Sequence, residues 1–302
     1  MTEVNSQDTP QILCIGSVLW DIVGRCDSEM RFGNDMPGRI RRLPGGVAMN
    51  IAMTLARFGM QPALLSAIGR DPEGDELVQA SKQLGLNTDY LYRSDDLPTD
   101  RYMAVEGANG LIAAIADAHS LEAAGNKILR ALEDGTLGTQ DHPFKGLMAL
   151  DGNLTLSLLD HIATNPAFSK SDLRVAPASP GKAERLRPFL THTRGTLYVN
   201  LEEAGLLCQE SFTDSEAAAT GLLNRGAARV LVTDGGRSAT EATEAGSVTL
   251  EPPTVTVARV TGAGDTFMAA HIAADARGED RKTALNAALN AAATYVSGEP
   301  PL

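Results

Sequence analysis

Cysteine is scarce in this sequence. The 302 residues include three cysteines, Cys14, Cys26 and Cys208, which lie far apart along the chain. Such spacing excludes a disulfide framework and a cysteine-based metal cluster, because both need cysteines at short and regular intervals. So few cysteines are typical of proteins in a reducing compartment. We therefore expect a cytoplasmic protein.

Long hydrophobic runs are also lacking. No apolar run approaches the roughly 18 residues that a membrane-spanning helix needs. The N-terminal residues MTEVNSQDTPQ are polar and acidic, and they lack the apolar centre of a signal peptide. We expect residues 1–10 to form a disordered leader, and we expect no membrane partner.

Positive charge is in short supply. The chain has 26 Lys and Arg residues against 38 Asp and Glu residues, which gives a formal net charge of -12. An acidic chain repels nucleic-acid phosphates, so nucleic acid is not an expected partner. A phosphate ligand is still compatible with this charge, because backbone N–H groups at a local site can bind an anion.

Several familiar site patterns are missing. The first predicted strand is followed by Gly16-Ser-Val-Leu-Trp-Asp21 rather than by the GxGxxG fingerprint of a Rossmann dehydrogenase. The Walker P-loop pattern of NTPases is absent as well. The five histidines lack metal-ligand spacing, and each is interpreted as a surface or packing residue. They are His119, His142, His161, His192 and His271.

The chain does contain a regular alternation of short apolar runs and helical stretches. The predicted strands are residues 12–17, 63–67, 146–150, 173–176, 196–199 and 229–233. The predicted helices are residues 47–58, 74–84, 155–163, 181–190, 217–225, 263–277 and 282–296. This alternation predicts an α/β fold, with a doubly wound, mostly parallel sheet and helices on both faces. With 43% hydrophobic residues, 302 residues suffice for one large domain over 1–302.

Two segments interrupt the alternation. Residues 28–44 are polar, partly basic and punctuated by Gly and Pro. Within residues 99–117, the runs RYMAVE and LIAAIAD are joined by Gly107-Ala-Asn-Gly110, which predicts a β-hairpin. We expect these segments to form a small β lid over the carboxyl edge of the sheet, where open α/β sheets bind ligands.

The strongest chemical signal is the run VTGAGDTF at residues 260–267, directly before an apolar helix. Small residues at 262–264 allow close approach of a ligand, and a helix N-terminus attracts anions. A transferring phosphoryl group needs such donors. Asp265, in the first helical turn, is placed to accept the proton of an attacking hydroxyl. The alternative is an ordinary helix start whose Asp265 serves only the helix dipole.

A second signal opens the first predicted helix. Gly45 and Gly46 could pack against a sugar face, and Asn50 offers a donor and an acceptor to a diol. Asp21, after the first strand, suits a carboxylate that binds two sugar hydroxyls. The alternatives are a glycine-rich loop, a solvent-facing Asn and a turn-forming Asp.

Two later strands also end in polar residues. Asn200 and Glu203 could hold the water shell of Mg²⁺, which binds few carboxylates directly; the alternative is a helix capping box. Thr233, Gly235 and Gly236 could hold nucleotide phosphates, or they could form a simple turn.

Assembled in order, these motifs resemble the ribokinase/PfkB carbohydrate kinase family over nearly the whole chain. GGVAMNIAMTLARFG at residues 45–59 is similar to the family's N-terminal signature, and VTGAGDTFMAA at 260–270 is similar to its C-terminal signature. The resemblance implies a ribokinase-like fold and an ATP-dependent phosphotransferase that uses Mg²⁺ and acts on a sugar or nucleoside hydroxyl. A non-catalytic sugar- or nucleoside-binding regulator is the rival class, but it could lose the base or the anion hole, and both are present here.

The resemblance also implies residue roles. Asp265 would be the catalytic base, and Gly262, Ala263 and Gly264 would form the anion hole. The sugar-binding residues would be Asp21, Gly45, Gly46 and Asn50. Mg²⁺ would be held through water by Asn200 and Glu203. The ATP site would be lined by Asn200, Thr233, Gly235, Gly236, Gly262, Gly264 and Asn290.

A narrower resemblance is to pseudouridine kinases. It is carried by NDMPGRIR at residues 34–41, TDRY at 99–102, IAAIAD at 112–117 and PASPGK at 177–182. These segments flank the predicted lid, where the base of a nucleoside would lie. The candidate base contacts are Thr99, Asp117 and Lys182, and ribose- or fructose-type sugars and other nucleosides remain alternative substrates.

One position departs from the family pattern. Many members have Asp two residues before the Thr of the TGAGD run, near a monovalent-cation site, and this chain has Arg259 there. A guanidinium cannot ligate a cation. The sequence, with its short C-terminus, therefore predicts little activation by K⁺. Because lid strands often pair between subunits in such kinases, a homodimer through the lid is also expected.

Overall fold

The computed structural model describes residues 10–31 and 33–298. Residues 1–9 of the predicted leader and the last residues of the C-terminus lie outside this range. The strands are β1 Ile12–Ile15, β2 Leu19–Arg25, β3 Arg39–Gly45, β4 Pro62–Leu65, β5 Ala67–Gly69, β6 Tyr92–Ser94, β7 Arg101–Gly107, β8 Gly110–Asp117, β9 Leu147–Asp151, β10 Asp172–Ala176, β11 Gly195–Asn200, β12 Arg229–Thr233, β13 Ala239–Thr243 and β14 Gly246–Leu250. The α-helices are α1 Val47–Arg57, α2 Pro72–Gln83, α3 His119–Ala124, α4 Leu156–Thr164, α5 Leu201–Cys208, α6 Ser215–Leu223, α7 Ala263–Ala276 and α8 Arg281–Val296. Three 3-10 helices span Gly125–Leu132, Pro166–Phe168 and Pro180–Phe189.

The large sheet has eight strands in the order β14-β13-β12-β11-β10-β9-β1-β4. Within this order, neighbours pair in parallel along β12-β11-β10-β9-β1-β4, whereas β13 and β14 pair antiparallel at one edge. Parallel strands covered on both faces are continuously apolar, and β1, with all four residues buried, shows that pattern. The predicted doubly wound, mostly parallel sheet is confirmed.

Helices cover both faces of this sheet, as predicted. Leu13 and Ile15 of β1 point into one core with α3 to α6, and Ile12 and Cys14 point into the other with α1, α2, α7 and α8. This division follows from the two-residue period of a strand, which sends successive side chains to opposite faces. The helices that bear the two glycine motifs, α1 and α7, thus share one layer.

A second, small sheet has the order β3-β2-β7-β8. The hairpin expected within residues 99–117 is present as β7 and β8, and the segment 28–44 supplies most of β3. Strand β2 was not predicted. Its sequence LWDIVGR is interrupted by Asp21 and Gly24, and it is only half-buried, so its apolar pattern is weak.

Some elements differ from the prediction. The segment 181–190 is a 3-10 helix rather than an α-helix, with Pro188 inside it. Proline has no N–H to donate and clashes with the preceding turn, which disfavours a regular α-helix. In the described part of the chain, no helix combines the length and the apolar character needed to cross a bilayer.

Candidate active site

Polar side chains gather at the carboxyl edge of the large sheet. Ser17 follows β1 by two residues, and Asp151, Asn200 and Thr233 are the last residues of β9, β11 and β12. Asn200 and Thr233 are register partners, so they lie side by side. Because this is the edge at which open α/β sheets bind ligands, these side chains mark the floor of a candidate cleft.

Two helices of the cleft begin in an unusual way. Side chains cap the N-termini of α2, α4, α6 and α8, through Asp71, Thr155, Asp214 and Asp280. In contrast, α1 and α7 begin at Gly46 and Gly262, with φ of 95° and 89° and without a side-chain cap of their own. Only glycine adopts such angles readily. At the start of α1 the Val47 N–H is bonded to the Ser17 hydroxyl at 2.9 Å, so of the two helices α7 is the one that, in the described part of the chain, brings unbonded backbone N–H groups to the cleft.

The N-terminus of α7 has free donors. In the described residues, the N–H groups of Gly264 and Asp265 donate to no other residue. A Cβ at Gly262 would lie 2.5 Å from the Tyr295 hydroxyl, which itself donates to the Thr261 carbonyl at 2.8 Å. Glycine is thus needed at 262 both for its φ and for the close approach of α8. The free N–H groups and the positive end of the helix dipole suit an anion.

Asp265 meets α1 across the cleft. The Nδ2 of Asn50 donates to Asp265 Oδ2 at 2.9 Å. Burial, together with the negative charges of Asp151, Asp21 and Glu203, raises the pKa of Asp265 to about 7, although the bond from Asn50 opposes this shift. A carboxyl group with a pKa near neutrality is suited to general-base catalysis.

Asp21 closes the site from the small sheet. Burial raises its pKa to about 6. A side chain at Gly45 would overlap the carboxylate of Asp21, so Gly45 leaves the room that this carboxylate occupies. The structure therefore brings together Asp21, Gly45, Asn50 and Asp265, four of the residues selected from the sequence.

Asn200 and Glu203 form a capping box at the start of α5. The Asn200 side chain accepts the Glu203 N–H at 2.9 Å, and the Glu203 carboxylate accepts the Asn200 N–H at 2.8 Å. The alternative interpretation of this pair is thus also realised. Burial raises the pKa of Glu203 to about 7, and within residues 10–31 and 33–298 this carboxylate forms no ion pair.

These residues fit an indirect Mg²⁺ site. No group of three or more His, Cys, Asp or Glu side chains in the described ranges is arranged to hold a metal ion directly. Mg²⁺ usually keeps several waters and uses one or two carboxylates plus substrate phosphates. Glu203, which lacks a cation, and the amide of Asn200 supply oxygen atoms of that kind.

The predicted ATP residues lie on two elements. Thr233 ends β12, and Gly235 follows in a left-handed turn with φ of 56°. A Cβ at Gly236 would meet no atom within 4 Å, which describes open space beside this turn. Asn290 is exposed on α8, where its Nδ2 donates to the Asn286 carbonyl at 2.8 Å. The nucleotide roles of these residues remain predictions.

Two of the residues predicted to contact the base of a nucleoside receive no support from this geometry. Thr99 is buried, and its hydroxyl donates to Asp71 at 2.7 Å. The hydroxyl proton is therefore already engaged in a bond within the protein. Asp117 is the register partner of Arg101, whereas Asp21 is the register partner of Tyr102, the next residue along the same strand. Successive residues of a strand point to opposite faces, so Asp117 and Asp21 lie on opposite faces of the small sheet. The structure does not bring these two side chains to the cleft floor.

Lys182 does reach the floor, together with residues that the sequence analysis missed. Its Nζ donates to Asn153 Oδ1 at 2.5 Å, and Asn153 in turn bonds to Asp151 and Ser17. Asp151 ends a buried strand and Asn153 follows it. The rule that selected Asn200, a polar residue at the carboxyl end of a strand, would also have found them.

Arg259 lies against α8. Its Nε donates to the Tyr295 carbonyl at 2.8 Å, and its guanidinium lies 3.8 Å from the centre of the Tyr295 ring. The positive charge is thereby fixed beside the loop that leads into α7. Weak activation by K⁺ stays a prediction.

The sequence pattern of the pfkB family carbohydrate kinases matches residues 9–299. An uncharacterized sugar kinase of Escherichia coli (strain K12) is 29% identical over 230 residues, which cover 74% of this chain and 61% of that protein. The pseudouridine kinase of the same organism is 28% identical, covering 85% of this chain and 81% of its own. The ribokinase of Bacillus subtilis (strain 168) is also 28% identical, covering 94% and 92%.

The fold is shared with solved structures. A putative ribokinase II from E. coli, in complex with ATP and Mg²⁺, superposes with a TM-score of 0.75 at 20% identity, covering 97% of this chain and 94% of that one. At this identity the likeness concerns the fold, and that fold is ribokinase-like.

Proposed function

The chain belongs to the pfkB family of carbohydrate kinases, and from that premise we propose that it transfers the γ-phosphoryl group of ATP to the 5′-hydroxyl of pseudouridine. The observation that carries the transferase chemistry is Asp265 beside the open N-terminus of α7. The choice of pseudouridine is supported by Lys182 on the cleft floor and by the likeness to a pseudouridine kinase.

Asp265 acts as the general base in this proposal. Asn50 fixes one carboxylate oxygen through its bond of 2.9 Å, which leaves the other oxygen free for the acceptor hydroxyl. As that hydroxyl attacks the γ-phosphorus, Asp265 takes its proton. Asp21, which shares the space left by Gly45, holds neighbouring hydroxyls of the ribose ring. The two carboxylates thus orient the acceptor and activate it.

The N–H groups of Gly264 and Asp265 receive the negative charge of the transferring phosphoryl group. Phosphoryl transfer depends mainly on such positioning and electrostatic stabilisation. Asn200 and Glu203 would hold Mg²⁺ through water, and the ion would neutralise charge on the nucleotide phosphates. Thr233, Gly235, Gly236 and Asn290 complete the proposed ATP site.

Base recognition is the finer part of the proposal. Lys182 can donate to the carbonyl oxygens of a uracil-type base. Tyr102 is the register partner of Asp21 and so shares its face of the small sheet. Burial, with the charges of Asp21 and Glu106, raises the pKa of Tyr102, and the oxygen of a neutral tyrosine hydroxyl could accept the additional ring N–H of pseudouridine. Uridine would leave that acceptor unpaired.

Ribose is the second candidate acceptor. It is favoured by the B. subtilis ribokinase, which equals the pseudouridine kinase in identity and matches more of the chain. Asp21, Asn50 and Asp265 would serve ribose equally well, because they contact hydroxyls only. Pseudouridine and ribose as acceptors therefore differ in whether residues other than Asp21, Asn50 and Asp265 contribute to binding.

An acceptor panel separates these candidates. The purified enzyme with ATP and Mg²⁺ would be assayed for ADP release with pseudouridine, uridine, ribose and fructose, and the product would be identified by ³¹P NMR. The proposal expects the highest kcat/KM with pseudouridine, and a phosphate coupled to the two 5′ protons. Equal kcat/KM for pseudouridine and uridine would refute base recognition, and a preference for ribose would support the second candidate.

We also propose that the small sheet serves as a lid and as a dimer interface. The face of the small sheet opposite Asp21 carries four apolar side chains, Ile22, Ile40, Met103 and Ile115. On their strands these residues lie an odd number of positions from Asp21 or from its register partners, so they point to the other face. Ile40 is 80% exposed and Ile115 is 61% exposed. Exposed apolar patches of this kind mark interaction sites, and a second copy of the chain presents the same face.

A further inference from the structure

A chain of hydrogen bonds runs beneath the cleft from α1 to Lys182. The Ser17 hydroxyl accepts the Val47 N–H at 2.9 Å and donates to Asp151 at 2.5 Å. Asn153 Nδ2 donates to the same hydroxyl at 3.0 Å and to Asp151 Oδ2 at 3.2 Å. Its Oδ1 accepts Lys182 Nζ at 2.5 Å. The start of α1 and the Lys182 ammonium are therefore linked through one asparagine.

The orientation of the Asn153 amide is fixed by its neighbours. A flipped amide would point Oδ1 at the Asp151 carboxylate and Nδ2 at the Lys182 ammonium, which would place acceptor against acceptor and donor against donor. Asp151 and Ser17 are buried, with 0% and 2% exposure, so neither can escape to water. An amide that donates to an anion also becomes a stronger acceptor at its oxygen. Through the Asn153 amide, the buried Asp151 carboxylate therefore strengthens the hydrogen bond that Asn153 accepts from Lys182.

The backbone around Asn153 is also held in place. Arg185 Nη1 donates to the carbonyls of Asn153 and Leu154 at 3.0 and 3.2 Å, and to Glu122 at 3.0 Å. Arg185 belongs to the same 3-10 helix as Lys182, Pro180–Phe189. The loop after β9 and this helix are therefore joined at two points, one through backbone and one through the Asn153 side chain.

Lys182 retains binding capacity. An ammonium group has three N–H donors, and one of them is used on Asn153. In the described ranges of the chain, Lys182 forms no ion pair with a carboxylate. The other two donors are consequently available to a ligand that brings oxygen atoms.

We propose that Asn153 is a positioning residue of the acceptor site, which holds the Lys182 ammonium so that its two remaining N–H groups meet the oxygen atoms of the acceptor. The proposal rests on the proposed function, since Lys182 contributes only when an acceptor binds beside it. Asn153 itself touches no substrate. Its effect on the reaction passes entirely through Lys182.

A kinetic double-mutant cycle tests this proposal. Asn153→Ala, Lys182→Ala and the double variant would be compared with wild type, with pseudouridine and ribose as acceptors. Either single substitution should raise the KM for pseudouridine by about tenfold, the value of a charge-assisted hydrogen bond, while the KM for ATP stays unchanged. The double variant should be no worse than Lys182→Ala, because Asn153 has nothing left to position.

Asn165→Ala is the matched control. Asn165 also makes side-chain bonds to a backbone N–H and to a neighbouring side chain, but it lies at the start of the 3-10 helix Pro166–Phe168. It should leave both KM values unchanged even if it lowers stability. If the effects of Asn153→Ala and Lys182→Ala multiply in the double variant, the positioning role is wrong while the kinase assignment stands. A wild-type enzyme that phosphorylates neither acceptor would overturn both proposals.

Discussion

At the scale of single residues, the cleft is dominated by like charges. Asp21, Asp151, Glu203 and Asp265 lie close enough for the other three to raise the pKa of Asp265, after burial, to about 7. Such mutual repulsion costs folding free energy and is common at functional sites. The proposed Mg²⁺ ion would relieve the repulsion between these carboxylates.

The raised pKa of Asp265 predicts a pH profile. A protonated carboxyl group cannot accept the hydroxyl proton, so kcat/KM for the acceptor should fall as pH drops through about 7. Bound Mg²⁺ favours the ionised carboxylate, so saturation with MgATP should move the fall in kcat/KM for the acceptor to lower pH. Initial rates with limiting acceptor, at limiting and at saturating MgATP, would show both profiles. A kcat/KM that is constant from about pH 5.5 to 8 would contradict the role of Asp265 as base.

Gly45 predicts a second residue effect. In Gly45→Ala the new methyl group would overlap the Asp21 carboxylate and displace it. The KM for the acceptor should rise by at least about tenfold, since a charge-assisted bond is lost. Gly24→Ala in the same sheet is the control, because its methyl group would meet neighbours only at ordinary distances of 3.8 and 3.9 Å. Equal KM values for the two variants would show that Asp21 does not bind the acceptor.

The sequence predicted site residues best where they belong to a glycine motif at the start of a helix. Gly45, Asn50 and Asp265 were selected from two motifs far apart in the chain, and the structure places them in one cleft. Thr99 and Asp117 were selected from neighbouring segments without knowledge of strand register. A shift of one residue sends a side chain to the other face of a sheet, and this is what separates Asp117 from Asp21.

At the scale of elements, α7 is held from below by a buried polar network. Arg174 donates to the Tyr198 hydroxyl at 3.3 Å, and that hydroxyl donates to His271 Nδ1 at 2.9 Å. His271 Nε2 then donates to Glu241 at 3.3 Å, and Asp275 accepts Arg174 at 2.7 Å. Every member is paired when His271 is neutral, and burial lowers the pKa of His271 accordingly. The network fixes the helix that presents Asp265.

Tyr198→Phe should therefore destabilise the protein. It removes one oxygen atom and leaves Arg174 and His271 each without one partner in a buried site, which costs about 1–3 kcal/mol. Denaturant unfolding would measure the change. Tyr92→Phe is the control, since in the described residues its hydroxyl has no hydrogen-bond partner. An unfolding free energy equal to that of wild type would show that the Tyr198 hydroxyl adds nothing to this network.

Two of the strands that the sequence did not predict, β2 and β14, share a physical cause. Strand β2 is half-buried and carries Asp21 and Gly24, so its side chains do not mark a buried face. The exposed edge strand β14 has no buried residue, and its pattern is likewise weak. The central strands and α1 and α7 were predictable, because continuous apolar burial and glycine-led helix starts leave a strong signal in sequence.

At the scale of the whole molecule, the apolar face of the small sheet predicts a dimer in solution. Ile115→Glu would place a charge in that face and should give monomers in sedimentation velocity experiments. Leu156→Glu is the matched control, since Leu156 is an apolar side chain on α4 that is 51% exposed and lies away from the small sheet. A wild-type protein that sediments as a monomer would contradict the proposed interface.

In the proposed function, the whole fold serves one event, the transfer of a phosphoryl group at the N-terminus of α7. The large sheet places its polar strand ends beneath that point, the small sheet supplies Asp21, and α1 supplies Asn50. The central claim is that Asp265 removes the proton of the acceptor hydroxyl there.

The most direct test of that claim is the turnover of Asp265→Asn. An amide keeps the bond to Asn50 but cannot accept the hydroxyl proton, so kcat should fall on the order of 10²–10⁴-fold while calorimetry shows ATP and acceptor still bound. Removal of a carboxylate from the acidic cluster should also leave the free energy of unfolding unchanged or higher by roughly 1 kcal/mol. Turnover within about threefold of wild type would contradict the account, because general-base loss costs far more.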